Sequence, residues 1–361
     1  MTSGFGLEAR LESRIRGAWN GRAGGALRLS SAAYGAVAGT RNLLYDSGVI
    51  SCRRAPIPIV SVGGLTVGGS GKTPITADLA ARLVEAGVRT ATLTHGFEDE
   101  IDVHRKLAPG AVVYGGRDRV TLAQTAAGEG AQIALLDSGF QHRRLHRDLD
   151  IVTVDEASAG GSLAFLPAGP FRESLAAATR ADLVVVVSRP SASEGRAGQE
   201  NRESAARGRS RLRELEDAPG APPFLSARIL PGPLMAANEP ARAVDRPRPT
   251  VAVAGIMWPE VFFDQVSPLA APGLETVRLR DHARIDDALG GRLRAMAGRS
   301  GIVCTLKDSM KLVRVLGESV PVWYLSETIA WDEPGVPPTV VRAALALLDM
   351  SDPDSIEGPA T

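Results

Sequence analysis

Cysteine is nearly absent: Cys52 and Cys304 are the only two in a chain of 361 residues. They stand far apart and in no ligand-like spacing, which excludes a disulfide framework and a cysteine-based zinc site. Histidine is also scarce, with five residues, His95, His104, His142, His146 and His282. His142 and His146 are four apart, but Arg143, Arg144 and Arg147 beside them would repel a cation. Charge of one sign is missing, since 41 basic residues balance 41 acidic ones; a general nucleic-acid binder would carry a basic excess, so no nucleic-acid partner is expected. No run of about 20 apolar residues exists, and nothing is expected to span a bilayer. The start lacks an apolar run before a small-residue cleavage site, so no secretory signal is expected there. Internal repeats are absent.

What is present is an ordinary globular composition, 44% hydrophobic and 23% charged, in a length that predicts about two domains. Residues 8–46 differ from the rest. Arg10, Arg14, Arg16, Arg22, Arg28 and Arg41 alternate with Leu11, Ile15, Trp19, Leu27, Leu29, Tyr34, Val37, Leu43 and Leu44. That pattern reads either as basic amphipathic helices on an anionic membrane surface or as an ordinary helix packed on the domain. Short apolar runs then alternate with helical patterns: strands at 58–63, 90–94, 111–114, 133–136, 151–154 and 183–187, helices at 73–86 and 119–127. This is the signature of a mainly parallel sheet with helices on both faces. Residues 189–222 break it with Ser, Gly, Arg, Glu and Pro and read as a linker or a loop with one exposed helix near 204–217. A second, smaller set of strands and helices runs from 249 to 348, and the tail from Ser351 reads as disordered. The expected fold class is α/β: a P-loop NTPase-like, mainly parallel sheet flanked by helices, with a second smaller α/β domain. The expected divisions are 1–50, 51–188, 189–225, 226–350 and 351–361.

The strongest motif is Thr66-Val67-Gly68-Gly69-Ser70-Gly71-Lys72-Thr73, placed between a strand and a helix. The pattern G-x-x-x-x-G-K-[ST] fails only at its first position, where Thr66 stands. The three glycines let backbone N–H groups turn inward toward phosphate oxygens, and the helix N-terminus adds partial positive charge. Lys72 reaches the β- and γ-phosphates of ATP, and the Thr73 hydroxyl holds Mg²⁺. An acidic partner for the metal is expected at a strand carboxyl end, where Asp137 and Asp155 both stand.

At this point the residues resemble a known family, the tetraacyldisaccharide 4'-kinases (lipid A 4'-kinases). The stretch from Arg54 to Gly63, followed by Leu65 to Pro74, is similar to that family's P-loop region. Asp137-Ser138-Gly139-Phe140-Gln141-His142 resembles its Asp-Asp-Gly-Leu-Gln-His block, and Leu166-Pro167-Ala168-Gly169-Pro170-Phe171-Arg172-Glu173 its Leu-Pro-Ala-Gly-Pro-Leu-Arg-Glu block. Asp281-His282 and Thr305-Leu306-Lys307-Asp308 match an Asp-His and a Thr-Glu-Lys-Asp further on. The blocks keep the family's order over nearly the whole globular chain.

The resemblance implies transfer of the γ-phosphoryl of ATP to the 4'-hydroxyl of an acylated glucosamine disaccharide 1-phosphate in lipid A biosynthesis. It implies a peripheral enzyme on the cytoplasmic face of the bacterial inner membrane, which favours the membrane-surface reading of residues 8–46. It assigns Glu173, with Asp137 and Thr73, to the metal. It assigns the base to an aspartate whose counterpart here is Asp99, paired with His282, with Asp102 as a competitor because the loop after Thr94 is short. Arg117, Gln141, His142 and Arg172 stand as contacts to substrate phosphate or sugar. Four departures mark the chain: Ser138 for an aspartate, Leu306 for a glutamate, Gly64 for an asparagine, and Thr94-His95-Gly96-Phe97 for Ser-Arg-Gly-Tyr. They keep two alternatives open: a P-loop nucleotide-binding protein with reduced or no kinase activity, and a kinase of another membrane glycolipid.

Overall fold

The computed structural model describes residues 19, 23–190, 196–242, 244–332 and 339–351. The expected tail beyond Ser351, and Arg10, Arg14, Arg16 and Arg22 of the expected amphipathic segment, lie outside the described residues.

In chain order the elements are α1 (Gly25–Asp46), β1 (Ile59–Gly64), α2 (Lys72–Glu85), β2 (Thr90–Thr94), α3 (Glu98–Leu107), β3 (Val112–Gly115), α4 (Arg119–Gly128), β4 (Ile133–Asp137), β5 (Leu149–Asp155), α5 (Glu156–Gly160), β6 (Leu183–Ser188), α6 (Arg196–Glu216) and β7 (Phe224–Ala236). Then follow α7 (Glu239–Arg242), β8 (Val251–Ala254), α8 (Pro259–Val266), β9 (Glu275–Arg278), α9 (Asp287–Ala297), β10 (Ile302–Cys304), α10 (Leu306–Leu316), β11 (Val322–Trp331) and α11 (Thr339–Ser351). The strands form one sheet of order β3-β2-β4-β1-β5-β6-β7-β11-β10-β8-β9. Every neighbouring pair is parallel except β7 and β11.

That single exception builds the cleft. β7 pairs with β6 from Phe224 to Arg228, then runs on to Ala236, which pairs with Trp323 at the start of β11. β11 pairs with β10 over Val322–Tyr324 and runs back toward the first half. The two halves of the sheet therefore run in opposite directions, end toward end, and their strand carboxyl termini face one another. In parallel sheets those termini are where ligands bind, so two binding edges share one space.

The central strands β1 and β4 are buried at every position, which their continuous apolar runs require. One face is covered by Ile75, Leu79 and Leu83 of α2. The last helix, α11, was expected with the second unit, yet its Val340, Val341 and Ala344 pack into this first-half core. The second half has its own core, in which Leu289 and Leu293 of α9 and Leu312 and Leu316 of α10 cover Val251, Val253 and Ile302.

Three elements differ from expectation. The segment 189–225, read as a polar linker or insertion with one exposed helix near 204–217, carries a longer one, the 21-residue α6. It buries Leu212 and crosses α5 backbone to backbone, where Gly160 and Gly208 leave no room for a Cβ. β7 lies where no strand was expected and contains Pro231-Gly232-Pro233; prolines are admitted where the ladder is broken, and the β7–β11 register shifts opposite them, between Leu325 and Glu327. The Glu98-Asp99-Glu100 run, placed in the short loop after Thr94, opens α3 instead, and acidic side chains suit the positive end of a helix.

Candidate active site

The P-loop leaves β1 and enters α2 at Lys72. Gly68, Gly69 and Gly71 have φ of 67°, 70° and 82°, a left-handed run that only glycine adopts without penalty. Ser70 is buried, and its hydroxyl takes the Lys72 ammonium at 3.0 Å. Burial, then the charges of Arg172 and Arg189, push Lys72 down to about 8, against the upward pull of Asp137 and Glu100. Three cations thus converge on the loop; Arg189 pairs with Asp155 at 3.5 Å, and the repulsion between Arg172 and Lys72 is one that a polyphosphate would relieve.

Thr73 and Asp137 come together. The Thr73 hydroxyl donates to Asp137 Oδ2 at 2.9 Å, and the same oxygen lies 2.8 Å from His104 Nε2. Burial alone would raise the Asp137 carboxyl, but His104, Thr73 and Lys72 outweigh it and hold it below its ordinary range. Asp137 Oδ1 receives only the Ser138 hydroxyl, at 3.2 Å. One hydroxyl and one anionic carboxylate are the protein ligands Mg²⁺ takes when phosphates and water supply the rest, so the pair fits that ion. Glu173, the third expected metal ligand, is engaged by other groups. It is buried and accepts from Gln141 Nε2 (3.0 Å), Asn42 Nδ2 (2.5 Å) and Arg180 Nη1 (2.7 Å).

From the second half, the loop after β9 delivers His282 to the first. Its Nδ1 lies 3.0 Å from Asp99 Oδ1, across 183 residues of sequence. Asp102, the competing carboxylate, instead pairs with Arg314 at 2.7 Å. Lys311 Nζ reaches Asp99 Oδ2 at 3.1 Å. Burial would raise the Asp99 carboxyl; the His282 hydrogen bond and the Lys307 and Lys311 charges hold it well below the usual carboxylate range. The His282 ring stacks on Phe97, with centroids 4.0 Å apart, and Phe97 in turn stacks on His95. His282 and Ser138 are the two non-glycine residues with positive φ among the described residues, 56° and 60°. Backbone conformations of that kind are held where the surroundings over-determine them.

The two edges enclose a cleft of about 1330 Å³ whose walls include Lys72, Thr73, Arg172, Arg189, His282 and Lys307. Trp258, from the loop after β8, covers Gly69 so closely that a Cβ there would stand 2.8 Å from its Cδ1.

Of the remaining expected contacts, Arg172 lines this cleft. Gln141 ties Gly64 O to Glu173, at 3.1 and 3.0 Å, and so acts within the loop scaffold. His142 is half-buried with Nε2 unpartnered; burial, then Arg119, Arg147 and Arg41, push it down to about 4. Arg117 is exposed on the turn before α4. Thr66 bridges to Phe171, and Val67 N donates to Pro170 O, which fastens the P-loop's first residues to the Leu166–Glu173 block.

Four residues escaped the sequence reading. Arg189 donates to Gly69 O at 2.7 Å and so braces the loop. His104 holds Asp137. Lys311 pairs with Asp99; it lies one helical turn beyond the Thr305–Asp308 block, a spacing that could have flagged it. Asn42 links α1 to Glu173 with no motif to announce it.

α1 has two faces. Ser31 donates to Phe165 O, Gly35 lies against the Phe165 ring, and Asn42 reaches Glu173. The opposite face leaves Leu29, Val37 and Leu43 in solvent, 68–74% exposed. That exposed face is apolar more than basic. Among the described residues no helix is long and apolar enough to cross a membrane.

Comparison with known proteins bears on this geometry. A family model described as tetraacyldisaccharide-1-P 4'-kinase matches residues 24–110 and 103–345. A tetraacyldisaccharide 4'-kinase of Anaeromyxobacter sp. (strain K) is 34% identical over 340 residues, covering 85% of this chain and 86% of the relative. One of Geobacter sulfurreducens is 31% identical over 330 residues, covering 83% and 87%. Among solved structures, LpxK from Aquifex aeolicus in complex with ATP superposes with a TM-score of 0.66 at 23% identity, over 90% of this chain and 98% of that one, and so shares the fold.

Proposed function

Because the chain belongs to the tetraacyldisaccharide 4'-kinase family, we infer that its cleft transfers the γ-phosphoryl group of ATP to the 4'-hydroxyl of a tetraacyldisaccharide 1-phosphate, a step of lipid A biosynthesis. One observation carries the reading: the P-loop on one sheet edge and His282, delivered from the other and hydrogen-bonded to Asp99, line a single cavity. Phosphoryl transfer needs positioning and neutralisation of charge more than covalent help.

The geometry supports the following roles. Backbone N–H groups of residues 68–73 and the Lys72 ammonium hold the β- and γ-phosphates. Thr73 and Asp137 hold Mg²⁺, which would neutralise charge on those phosphates. Arg172, close enough to Lys72 to depress its pKa, faces the transferring group. Asp99, kept anionic, accepts the proton of the attacking hydroxyl, and His282 orients it. Glu173, held by three donors, fixes Gln141 and the Leu166–Glu173 loop beside the phosphates.

The acceptor's acyl chains belong in a bilayer, and ATP is found on its cytoplasmic side. The exposed apolar face of α1, with Leu29, Val37 and Leu43, supports peripheral attachment there, while its other face grips the loops that carry Gln141 and Glu173. The test is to incubate the purified protein with Mg-ATP and the tetraacyldisaccharide 1-phosphate in mixed micelles and to look for the 1,4'-bisphosphorylated lipid. ATP binding without that product would overturn the reading. Turnover retained in Lys72→Ala would remove the P-loop from it.

A further inference from the structure

The Thr305-Leu306-Lys307-Asp308 block has so far no part in the chemistry, yet three of its side chains are ordered around one purpose. Thr305 is the N-cap of α10: its hydroxyl accepts from Asp308 N and donates to Asp308 Oδ2, at 3.2 and 2.7 Å. Asp308 is wholly buried, and its Oδ2 also accepts from Gly255 N at 2.7 Å, which ties the start of α10 to the end of β8. Thr305 and Asp308 thus fix the first turn of the helix, and that turn aims Lys307 into the cleft.

Lys307 Nζ lies 2.5 Å from Asp281 Oδ1 and 3.1 Å from His282 Nε2. An ammonium has only donors, so the contact to Nε2 requires that nitrogen to be the acceptor. A neutral imidazole that accepts at Nε2 carries its proton on Nδ1, and Nδ1 faces Asp99 Oδ1 at 3.0 Å. The ring is held in plane by Phe97 stacked on it.

The charges around His282 come from every element that packs on it. Asp99 and Glu100 of α3 and Asp281 of its own loop favour an imidazolium, at 3.0, 3.6 and 3.8 Å. Lys307 opposes it directly, and Lys311, bound to Asp99 Oδ2, opposes it at one remove. An imidazolium beside Asp99 would make that carboxylate a poorer proton acceptor. A ring turned to its other tautomer would present a lone pair to the carboxylate and repel it.

We propose that Lys307 is a positioning residue that keeps His282 neutral and in its Nδ1-protonated tautomer, so that Asp99 stays oriented to receive the acceptor hydroxyl. The inference rests on the kinase reading of the cleft, but its first readout does not require turnover. In protein labelled with ¹⁵N-histidine, the two imidazole nitrogens of His282, assigned by comparison with His282→Asn, should show Nδ1 protonated and Nε2 unprotonated at pH 7.5. In Lys307→Met that pattern should give way to a tautomer mixture. kcat should fall roughly 10- to 100-fold, the range for losing a partner that fixes a functional histidine, with KM for ATP unchanged. Lys307→Gln keeps an N–H donor without the charge; it should restore the tautomer and much of kcat.

An Nε2-protonated His282 in the unmodified protein would overturn the proposal. So would a Lys307→Met protein that loses kcat with the tautomer unchanged, since that is what a merely structural lysine would give. If the tautomer pattern holds but no lipid acceptor is phosphorylated, the kinase reading falls and the positioning role of Lys307 stands.

Discussion

Replacing Gly69 by Ala tests whether the two halves truly close over the phosphate loop. The substitution has two separable costs. Gly69 sits at φ 70°, and an alanine held in the left-handed region costs about 1–2 kcal/mol. A loop free to relax without nucleotide would incur that cost on binding, a loss of about 5- to 30-fold in ATP affinity. The second cost is steric: the new Cβ stands 2.8 Å from Trp258 Cδ1 and 3.2 Å from its Nε1. The indole must retreat by several tenths of an ångström, a further ~1–3 kcal/mol of overpacking. Trp258→Ala removes the second cost and leaves the first. Calorimetric ATP binding to the four proteins of the cycle should therefore show that Gly69→Ala is milder in the Trp258→Ala background, with a coupling of about 1 kcal/mol or more. Equal losses in both backgrounds, within about 0.3 kcal/mol, would refute contact between the second half and the P-loop.

Other expectations follow from single features. Lys72, depressed to about 8 without an anion, should regain its charge against a triphosphate; ATP binding should take up almost no proton well below pH 8 and a substantial fraction of one near pH 9, read by calorimetry in buffers of different ionisation heat. Absence of uptake at pH 9 would show that the ammonium never meets the phosphates. Val37→Glu and Leu43→Glu together should weaken binding to anionic vesicles by roughly tenfold or more, given about 1.5–3 kcal/mol for each buried aliphatic side chain, with the melting temperature unchanged; unaltered sedimentation with vesicles would remove α1 from the membrane surface. Phe140, fully buried under the Arg180 guanidinium at 4.5 Å, should cost about 3–5 kcal/mol on truncation to Ala, checked by urea denaturation.

Much of this was legible in the residues because the relevant physics is local. The P-loop announces itself in eight consecutive residues, and the parallel strands in unbroken apolar runs. Asp137 is legible because a strand ends on it. The Asp99–His282 pair is of another kind: nothing short-range joins residues 183 apart, and only the family resemblance paired them. α3 hid because its polar residues are spent on ion pairs with α10, Arg314 to Glu98 and Asp102, and Lys311 to Asp99. Apolar periodicity cannot register a helix that docks by charge. α6 was expected near 204–217 but starts at Arg196, and its extent was hard to read because it meets α5 through glycine and backbone and buries few large side chains. β7 hid behind its prolines, and with it the reversal that turns two binding edges toward each other.

The bonds between α1 and the loops beside the P-loop bear on how the protein is handled. Asn42 donates to Glu173, Arg41 to Gln141 O, and Arg143 is tethered by Asn42 O and Asp46. A shortened version starting near Gly48, made to ease purification, would lose more than its grip on lipid. It would strip one donor from a buried carboxylate and uncap a neighbouring carbonyl. Sluggish turnover in such a fragment, even with detergent-dispersed acceptor, would then report slackened loops, and restoring the missing helix as a separate peptide should recover it.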